Sequence, residues 1–118
     1  MQADCFFVTL DKSGQSFSPT TRYRDYPISP SEFHWESQST TRRESPTGQR
    51  YISRRDPGWR FLLFVRESPQ LANGRTATFL FLGPVHYLRH QGDMPIEVTW
   101  RLEHPMPAGF FEVARAAV

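Results

Sequence analysis

Residues 96–103 alternate between apolar and polar side chains, and this alternation is the strongest structural signal in the chain. The apolar side chains share one parity: Ile96, Val98, Trp100 and Leu102. The polar side chains share the other: Glu97, Thr99, Arg101 and Glu103. Because successive side chains of a β-strand point to opposite faces, this period of two predicts an antiparallel strand with one buried face. The chain must therefore form a sheet that this strand can join.

Other short runs of β-favouring residues predict the remaining strands. We expect strands at residues 5–10, 34–38, 49–53, 59–66, 76–82 and 85–90, with a break at Gly83 and Pro84. Turn residues recur about every 8–12 positions, which is typical of a sheet that closes on itself. The sequence therefore predicts a mainly β fold, a small closed or strongly curled antiparallel barrel.

Two segments favour a helix. Residues 29–33 place a proline where a first helical turn would begin, and they predict a single capped turn. Near the C-terminus, apolar side chains recur at helical spacing: Phe110, Val113, Ala114 and Ala117. This spacing predicts a short C-terminal helix within residues 107–118. The polar stretch at residues 39–48 is predicted to be a loop.

Length and composition limit the class of protein. The chain has 118 residues, and we predict a single domain over residues 1–118. With 38% hydrophobic and 14% aromatic residues, it is too apolar for a disordered segment. No apolar run approaches the roughly 18 residues of a membrane-spanning helix, and the first ten residues lack a basic secretory leader. No membrane is expected, and the single cysteine, Cys5, fits a reducing cytoplasm.

Arginine supplies nearly all of the positive charge. The 14 basic residues exceed the 12 acidic residues by two, and Lys12 is the only lysine. A guanidinium group presents a planar fork of donors that grips a phosphate or a base edge and stacks on rings. Eight arginines fall within residues 22–60. This concentration favours a polyanionic partner, and the alternative is a set of solvated side chains on loops.

The sequence shows no recognisable catalytic chemistry. It contains no CxxC pair, no phosphate-cradling glycine loop and no GxSxG motif. His86 and His90 are four residues apart, but their segment is predicted to be a strand, where the two would share a face with little chance of binding a metal. We therefore expect no enzymatic activity, no metal site and no cofactor.

Polar and aromatic residues are interleaved in the first half of the chain without a core-like period. Hydroxyl and guanidinium groups donate to phosphate oxygens, and rings stack on bases. We predict phosphate contacts from Arg22, Arg24, Arg42, Arg43, Arg54 and Arg55. We predict contacts with a base, by stacking or at its edge, from Tyr23, His34, Trp35 and Gln38. The alternative is that the rings fill the core and the hydroxyls cap turns.

Several longer motifs match a known family in order. They are DKSG at residues 11–14, FSPTTRY at 17–23, FHWESQSTT at 33–41, SPTGQRY at 45–51, FVRE at 64–67, FLGPV at 81–85 and PIEVTWRL at 95–102. Together they resemble the domain of unknown function found at the C-terminal end of bacterial DEAD/DEAH-type helicases, some of which also carry a phospholipase-D-like nuclease domain. The resemblance covers residues 6–107.

The resemblance implies a role in DNA metabolism or in defence against foreign DNA. It implies DNA, duplex or single-stranded, as one partner and a helicase or nuclease domain, in cis or in trans, as another. By analogy, a small barrel attached to such machinery is similar to the PUA and SRA groups, which recognise a duplex or a modified base.

From the residues and the resemblance together, we expect a non-catalytic nucleic-acid-binding module that positions a helicase or nuclease on DNA. A modified or extruded base is one ligand that it could read. The first alternative is a protein-interaction or scaffold domain that docks onto a helicase or nuclease partner. The second is a sensor that binds a small molecule or nucleotide inside the barrel.

Overall fold

Six β-strands and two short helices form the described part of the chain. The computed structural model describes residues 2–11, 24–53 and 58–118. The elements are β1 (Gln2–Thr9), β2 (Tyr26–Ser29), β3 (Glu32–Glu36), α1 (Pro46–Ile52), β4 (Trp59–Arg66), β5 (Leu80–Gln91), β6 (Glu97–Leu102) and α2 (Ala108–Ala117). None of the helices in these three ranges is long and apolar enough to cross a membrane.

The strands form one mixed sheet in the order β1-β4-β5-β6-β3-β2. β1 is parallel to β4, and the other neighbouring strands are antiparallel. The prediction of a mainly β fold is therefore confirmed. The prediction of a closed or strongly curled antiparallel barrel is wrong, because β1 and β2 lie at opposite edges of the sheet and do not pair with each other. A parallel pair also needs a long connection, and β2, β3 and α1 all lie in the connection between β1 and β4.

The core lies on one face of the sheet. β6 shows the predicted alternation, because Val98, Trp100 and Leu102 are buried while Arg101 between them is exposed. Both helices contribute side chains to the same core: Tyr51 and Ile52 from α1, and Phe110, Phe111, Ala114 and Ala117 from α2. Since helices cover the apolar face, the sheet buries this face without closing on itself.

Residues 49–53, predicted to be a strand, belong to helix α1. Ser45 is the N-cap, and its side-chain oxygen accepts a hydrogen bond from the amide of Gly48 at 3.0 Å. Pro46 then occupies the first helical turn, where its missing N–H costs nothing. The β-favouring pair Tyr51 and Ile52 instead packs against the core from a helix. Here tertiary burial overrides local β-propensity.

Two further predictions about local structure are corrected. The predicted helical turn at residues 29–33 is the tight turn between β2 and β3, and β3 already begins at Glu32. The predicted break at Gly83 and Pro84 lies inside one long strand, β5, at a shift in its register with β4. Gly83 has φ +97°, a conformation that glycine adopts without strain, and this irregularity accommodates the proline. The predicted C-terminal helix is confirmed as α2.

We predict that Gly48→Ala destabilises the fold by about 1–3 kcal/mol, measured by urea denaturation. A Cβ atom at this position would overlap the backbone carbonyl oxygen of Arg42, and a backbone atom cannot swing aside as a side chain can. Gly109→Ala in α2 is the matched control, because nothing lies within 4 Å of its Cβ position. The control is expected to be neutral or stabilising by up to about 1 kcal/mol. Equal stabilities of the two variants would contradict this packing.

Candidate functional site

Six of the ten predicted site residues lie in the described part of the chain. Arg22, Tyr23, Arg54 and Arg55 lie outside the described residues. The other six are Arg24, His34, Trp35, Gln38, Arg42 and Arg43. They lie on β3, on the segment before β2 and on the loop between β3 and α1. They therefore do not share a single structural element.

Trp35 and Gln38 border an acidic depression of 380 Å³ beside β1. Its lining includes three carboxylates, from Asp4, Asp25 and Glu36, and no basic side chain of the described residues. The ring of Trp35 also packs against the core, with its centroid 4.3 Å from that of Phe6. Without a basic side chain among its described lining residues, this depression offers no direct countercharge to a phosphate, so it is a poor site for nucleic acid.

His34 is buried and engaged through both ring nitrogens. Its Nδ1 donates to the carbonyl oxygen of Arg24 at 2.8 Å, and its Nε2 lies 3.0 Å from Oε1 of Glu97. Its ring also stacks on Tyr26, with the centroids 4.4 Å apart. The imidazole therefore fixes the β2–β3 hairpin against β6 and offers no free edge to a base.

Arg42 and Arg43 have exposed side chains in the loop before α1. Their backbones are engaged: the amide of Arg43 donates to Oδ1 of Asp93 at 2.8 Å, and the carbonyl oxygen of Arg42 accepts from Oγ of Ser45 at 2.7 Å. Neither guanidinium forms an ion pair within the described ranges. Among the six described candidates, these two and the exposed Arg24 are the ones whose charge stays open to a ligand.

A larger cavity opens where β4 and β5 separate. Their register ends at the pair Phe61 and Val85; beyond it, β4 pairs with β1 and β5 pairs with β6. The gap forms a cavity of 510 Å³, which we call the fork cavity. Its lining includes four aromatic rings, from Tyr51, Trp59, Phe61 and Tyr87. It also includes four basic side chains, from Arg50, Arg60, His86 and Arg101.

Three of these basic side chains, Arg60, His86 and Arg101, form a row across β4, β5 and β6, which we call the basic row. His86 lies directly opposite Arg101, and the register that pairs Phe61 with Val85 puts Arg60 next to His86. All three alternate with core residues, so they lie on the sheet face opposite the core. His86 and Arg101 lie on paired strands, about 4.8 Å apart, whereas Arg60 faces His86 across the opening between β4 and β5.

Acidic groups neutralise the basic row only in part. His86 Nε2 lies 3.1 Å from Oε1 of Glu103. Glu32 lies opposite Arg101 in the sheet, but its carboxylate contacts a different arginine at 3.4 Å. Arg60 and Arg101 are exposed, and neither forms an ion pair with a residue in the described ranges. The two guanidinium groups therefore present positive charge at the fork cavity.

Arg50 lines the fork cavity, but its charge is already paired. Its Nε and Nη2 donate to the two carboxylate oxygens of Asp4 at 2.7 and 3.1 Å, and Trp59 Nε1 donates to the same carboxylate at 3.0 Å. The guanidinium also lies over the Trp59 ring, 4.6 Å from its centroid. The hydrogen bonds to Asp4 raise the pKa of Arg50 further, so the guanidinium stays charged. Its role is to hold α1, β1 and β4 together.

His86 and His90 do not share the face expected of a regular strand. The register of β5 shifts between Tyr87 and Arg89, so His86 lies opposite Arg101 while His90 lies opposite Val98. His90 Nδ1 is 2.7 Å from the hydroxyl of Tyr87, whereas His86 contacts Glu103, just after the end of β6. In the described ranges, no group of three or more His, Cys, Asp or Glu side chains could hold a metal ion.

Phenylalanine rings form an exposed stack on the same sheet face as the basic row. Phe7, Phe64 and Phe81 come from β1, β4 and β5, and adjacent ring centroids are 4.8 Å apart in both pairs. We call these three rings the phenylalanine ladder. Phe7 is 61% exposed and Phe81 is 52% exposed. Because Phe64 and Arg60 have the same parity in β4, the ladder and the basic row share one face.

The fold and the site together define a small mixed β-sheet domain with its core on one face and a basic, ring-lined cavity at a split in the sheet. The chain belongs to the family of the domain of unknown function DUF3427, whose family model matches residues 2–114. The prediction of a domain of unknown function over nearly the whole chain is thus confirmed, and its association with helicases stays a prediction. No curated protein gives a significant match to the chain.

We predict that the stability of the domain falls as the pH rises above 10.0, the ordinary pKa of tyrosine. Burial of Tyr51 in the wall of the fork cavity, together with the charge of Asp4, raises its pKa. A folded-state pKa above the unfolded one gives stability that is complete below the unfolded pKa and is lost as the pH rises through the folded pKa. Urea denaturation at several alkaline pH values measures this loss.

Tyr51→Phe is expected to remove the part of the stability loss at alkaline pH that comes from ionisation of Tyr51. Asp4→Asn is expected to lower the pKa of Tyr51, seen in the phenolate absorbance, because a negative charge that opposes the phenolate disappears. A Tyr51→Phe variant with an unchanged alkaline profile would contradict the burial of this hydroxyl.

Proposed function

We propose that the domain is a non-catalytic nucleic-acid-binding module that positions a helicase or nuclease on DNA, with its phosphate contacts made by the basic row. The observation that carries the proposal is that Arg60 and Arg101, which lie on either side of His86, are exposed and have no ion-pair partner in the described ranges. Two guanidinium forks at that spacing suit adjacent phosphate oxygens of a polyanion.

The fork cavity next to the row supports the proposal. It combines the guanidinium groups with the rings of Trp59, Phe61 and Tyr87. Phosphate contacts fix the register of a nucleic acid, while rings take bases by stacking. A base extruded from a helix needs a ring-lined pocket of this kind, and the volume of 510 Å³ lies within the usual range for ligand cavities, roughly 300–1,000 Å³.

The charge distribution of the described surface favours one face for the ligand. The depression beside β1 is lined by carboxylates, whereas the fork cavity is lined by arginines. A polyanion finds positive charge at the fork cavity and none among the described lining residues of the depression. The exposed Arg24, Arg42 and Arg43 add positive charge to loops outside the fork cavity, where they would steer a nucleic acid during encounter.

Docking onto a helicase or nuclease is the second candidate function, and the edge strand β1 favours it. Among the described residues, β1 pairs with β4 alone, and its other side borders the acidic depression. An extended, basic segment of a partner protein would add to such an edge by main-chain hydrogen bonds. Chemical-shift changes of the β1 amides on addition of a purified helicase would show this docking. Unchanged β1 amides in a complex that does form would exclude it.

We predict that the double variant Arg60→Gln/Arg101→Gln weakens DNA binding at least about tenfold, because hydrogen bonds to charged groups contribute about 1.5–3 kcal/mol each. Fluorescence anisotropy over a series of salt concentrations measures the affinity. The slope of log K against log salt is expected to decrease by about 2, because each phosphate that is no longer neutralised lowers the slope by about one.

Arg75→Gln/Arg115→Gln is the matched control, because it removes the same charge from exposed arginines outside the fork cavity. It is expected to bind DNA nearly as well as the wild type. If the two double variants weaken binding equally, net charge rather than the basic row accounts for the affinity. A wild-type protein that shows no salt-dependent DNA binding would overturn the proposal.

A further inference from the structure

We infer that the ligand of this face is single-stranded nucleic acid, with bases stacked on the phenylalanine ladder and phosphates on the basic row. This inference rests on the proposed function and narrows it to one substrate class. Two features on the sheet face opposite the core carry it: a stack of exposed rings and a row of arginines without ion-pair partners in the described ranges.

Phe79 packs edge-on against Phe7, with the centroids 5.3 Å apart, so the free ring surface of the ladder is at Phe81. Phe7, Phe64 and Phe81 lie outside the core, and the helices pack on the opposite face of the sheet. Phe81 stacks on Phe64 with one face, and no other ring in the described ranges stacks on it. A base can therefore continue the stack at Phe81. Such stacking does not depend on the base, since every base has a π face.

The ladder and the basic row are connected along the strands. Phe64 and Arg60 lie four residues apart on β4, which is about 13 Å at the rise of an extended strand. Between them, Leu62 lies opposite Pro84 of β5, so half-buried apolar side chains join the two features. An extended chain with alternating rings and anions fits this arrangement.

A single strand fits this face better than a duplex does. In a duplex, the faces of the bases are stacked on each other and cannot reach the ladder, whereas an unpaired strand exposes them. The major groove of B-DNA is about 12 Å wide and admits a helix or a two-stranded ribbon. The face that carries the ladder and the row is built from four adjacent strands, β1, β4, β5 and β6, and is too wide to enter that groove.

Charge complementarity favours nucleic acid over an apolar protein surface as the occupant. A partner that covered the ladder and extended over the row would bury Arg60 and Arg101, and burying a guanidinium without an acceptor is costly. Phosphates provide the acceptors and the negative charge. A nucleic acid therefore provides bases for the phenylalanine ladder and phosphates for the basic row.

The experiment compares two labelled ligands, an oligothymidylate and a blunt duplex, by fluorescence anisotropy at one salt concentration. Phe7→Leu/Phe81→Leu keeps apolar side chains at these exposed positions but removes their π faces. We expect this variant to bind the oligothymidylate about tenfold or more weakly than the wild type, with its weaker duplex binding unchanged. Arg60→Gln/Arg101→Gln is expected to weaken binding of both ligands. Thermal unfolding checks that each variant is folded, which substitutions at exposed sites allow.

A second readout identifies the contact directly. Photo-crosslinking with a bromouracil-substituted single strand is expected to label peptides that contain Phe7 or Phe81.

If the arginine variant weakens binding while the leucine variant matches the wild type, the inference fails and the proposed function stands; the ladder is then a surface for another protein. If the wild type binds neither ligand, the proposed function itself fails. Equal affinity for the duplex and the single strand also overturns the inference.

Discussion

Trp100 packs between Phe6 and Phe61 at the centre of the core, with ring centroids 5.4 and 4.8 Å away. These three rings come from β6, β1 and β4, so their contact fixes strands that are far apart in the chain. Aromatic side chains bury large areas, and here they do so on one face alone. The helices complete that face, which frees the opposite face from any part in the core.

The split in the sheet lies beside a structural ion pair at the start of β4. Trp59 donates to Asp4 of β1, and Arg50 of α1 binds the same carboxylate through two hydrogen bonds. This cluster holds the start of β4 against β1, while β5 continues along β6. β4 and β5 separate beyond the pair Phe61 and Val85, and the fork cavity opens there.

Sequence reasoning works where the signal is local. The alternation around Trp100 predicted β6 correctly, the apolar run at residues 59–66 predicted β4, and the helical spacing after residue 107 predicted α2. It failed where local sequence preference and tertiary packing favour different secondary structures. Tyr51 and Ile52 favour a strand by composition, but their burial against the core is achieved in a helix capped by Ser45. Closure of the sheet is a long-range property that turn spacing does not determine.

The candidate site also divides into features that local sequence patterns predict and features that depend on long-range packing. The sequence directed attention to arginine and aromatic side chains, but the structure places Trp35 against the core and His34 in a hairpin. Arg101 lies in the exposed phase of the alternating strand, and Arg60 lies in the exposed phase of β4. Each was therefore readable as a surface residue. Their meeting around His86 depends on strand order and register, which no local pattern encodes.

The basic row has an energetic cost that its surroundings do not remove. The like charges of Arg60 and Arg101 repel each other across β5. Of the nearest acids, Glu32 contacts a different arginine and Glu103 contacts His86 within the row, so neither pairs with Arg60 or Arg101. A surface selected for stability alone would place a carboxylate between Arg60 and Arg101, as the structure does for Arg50 with Asp4. Departures from local stability rules concentrate at functional sites. In the proposed function, a polyanion bound to this row would relieve that repulsion, because its phosphates provide the acceptors that the described residues do not give to Arg60 and Arg101.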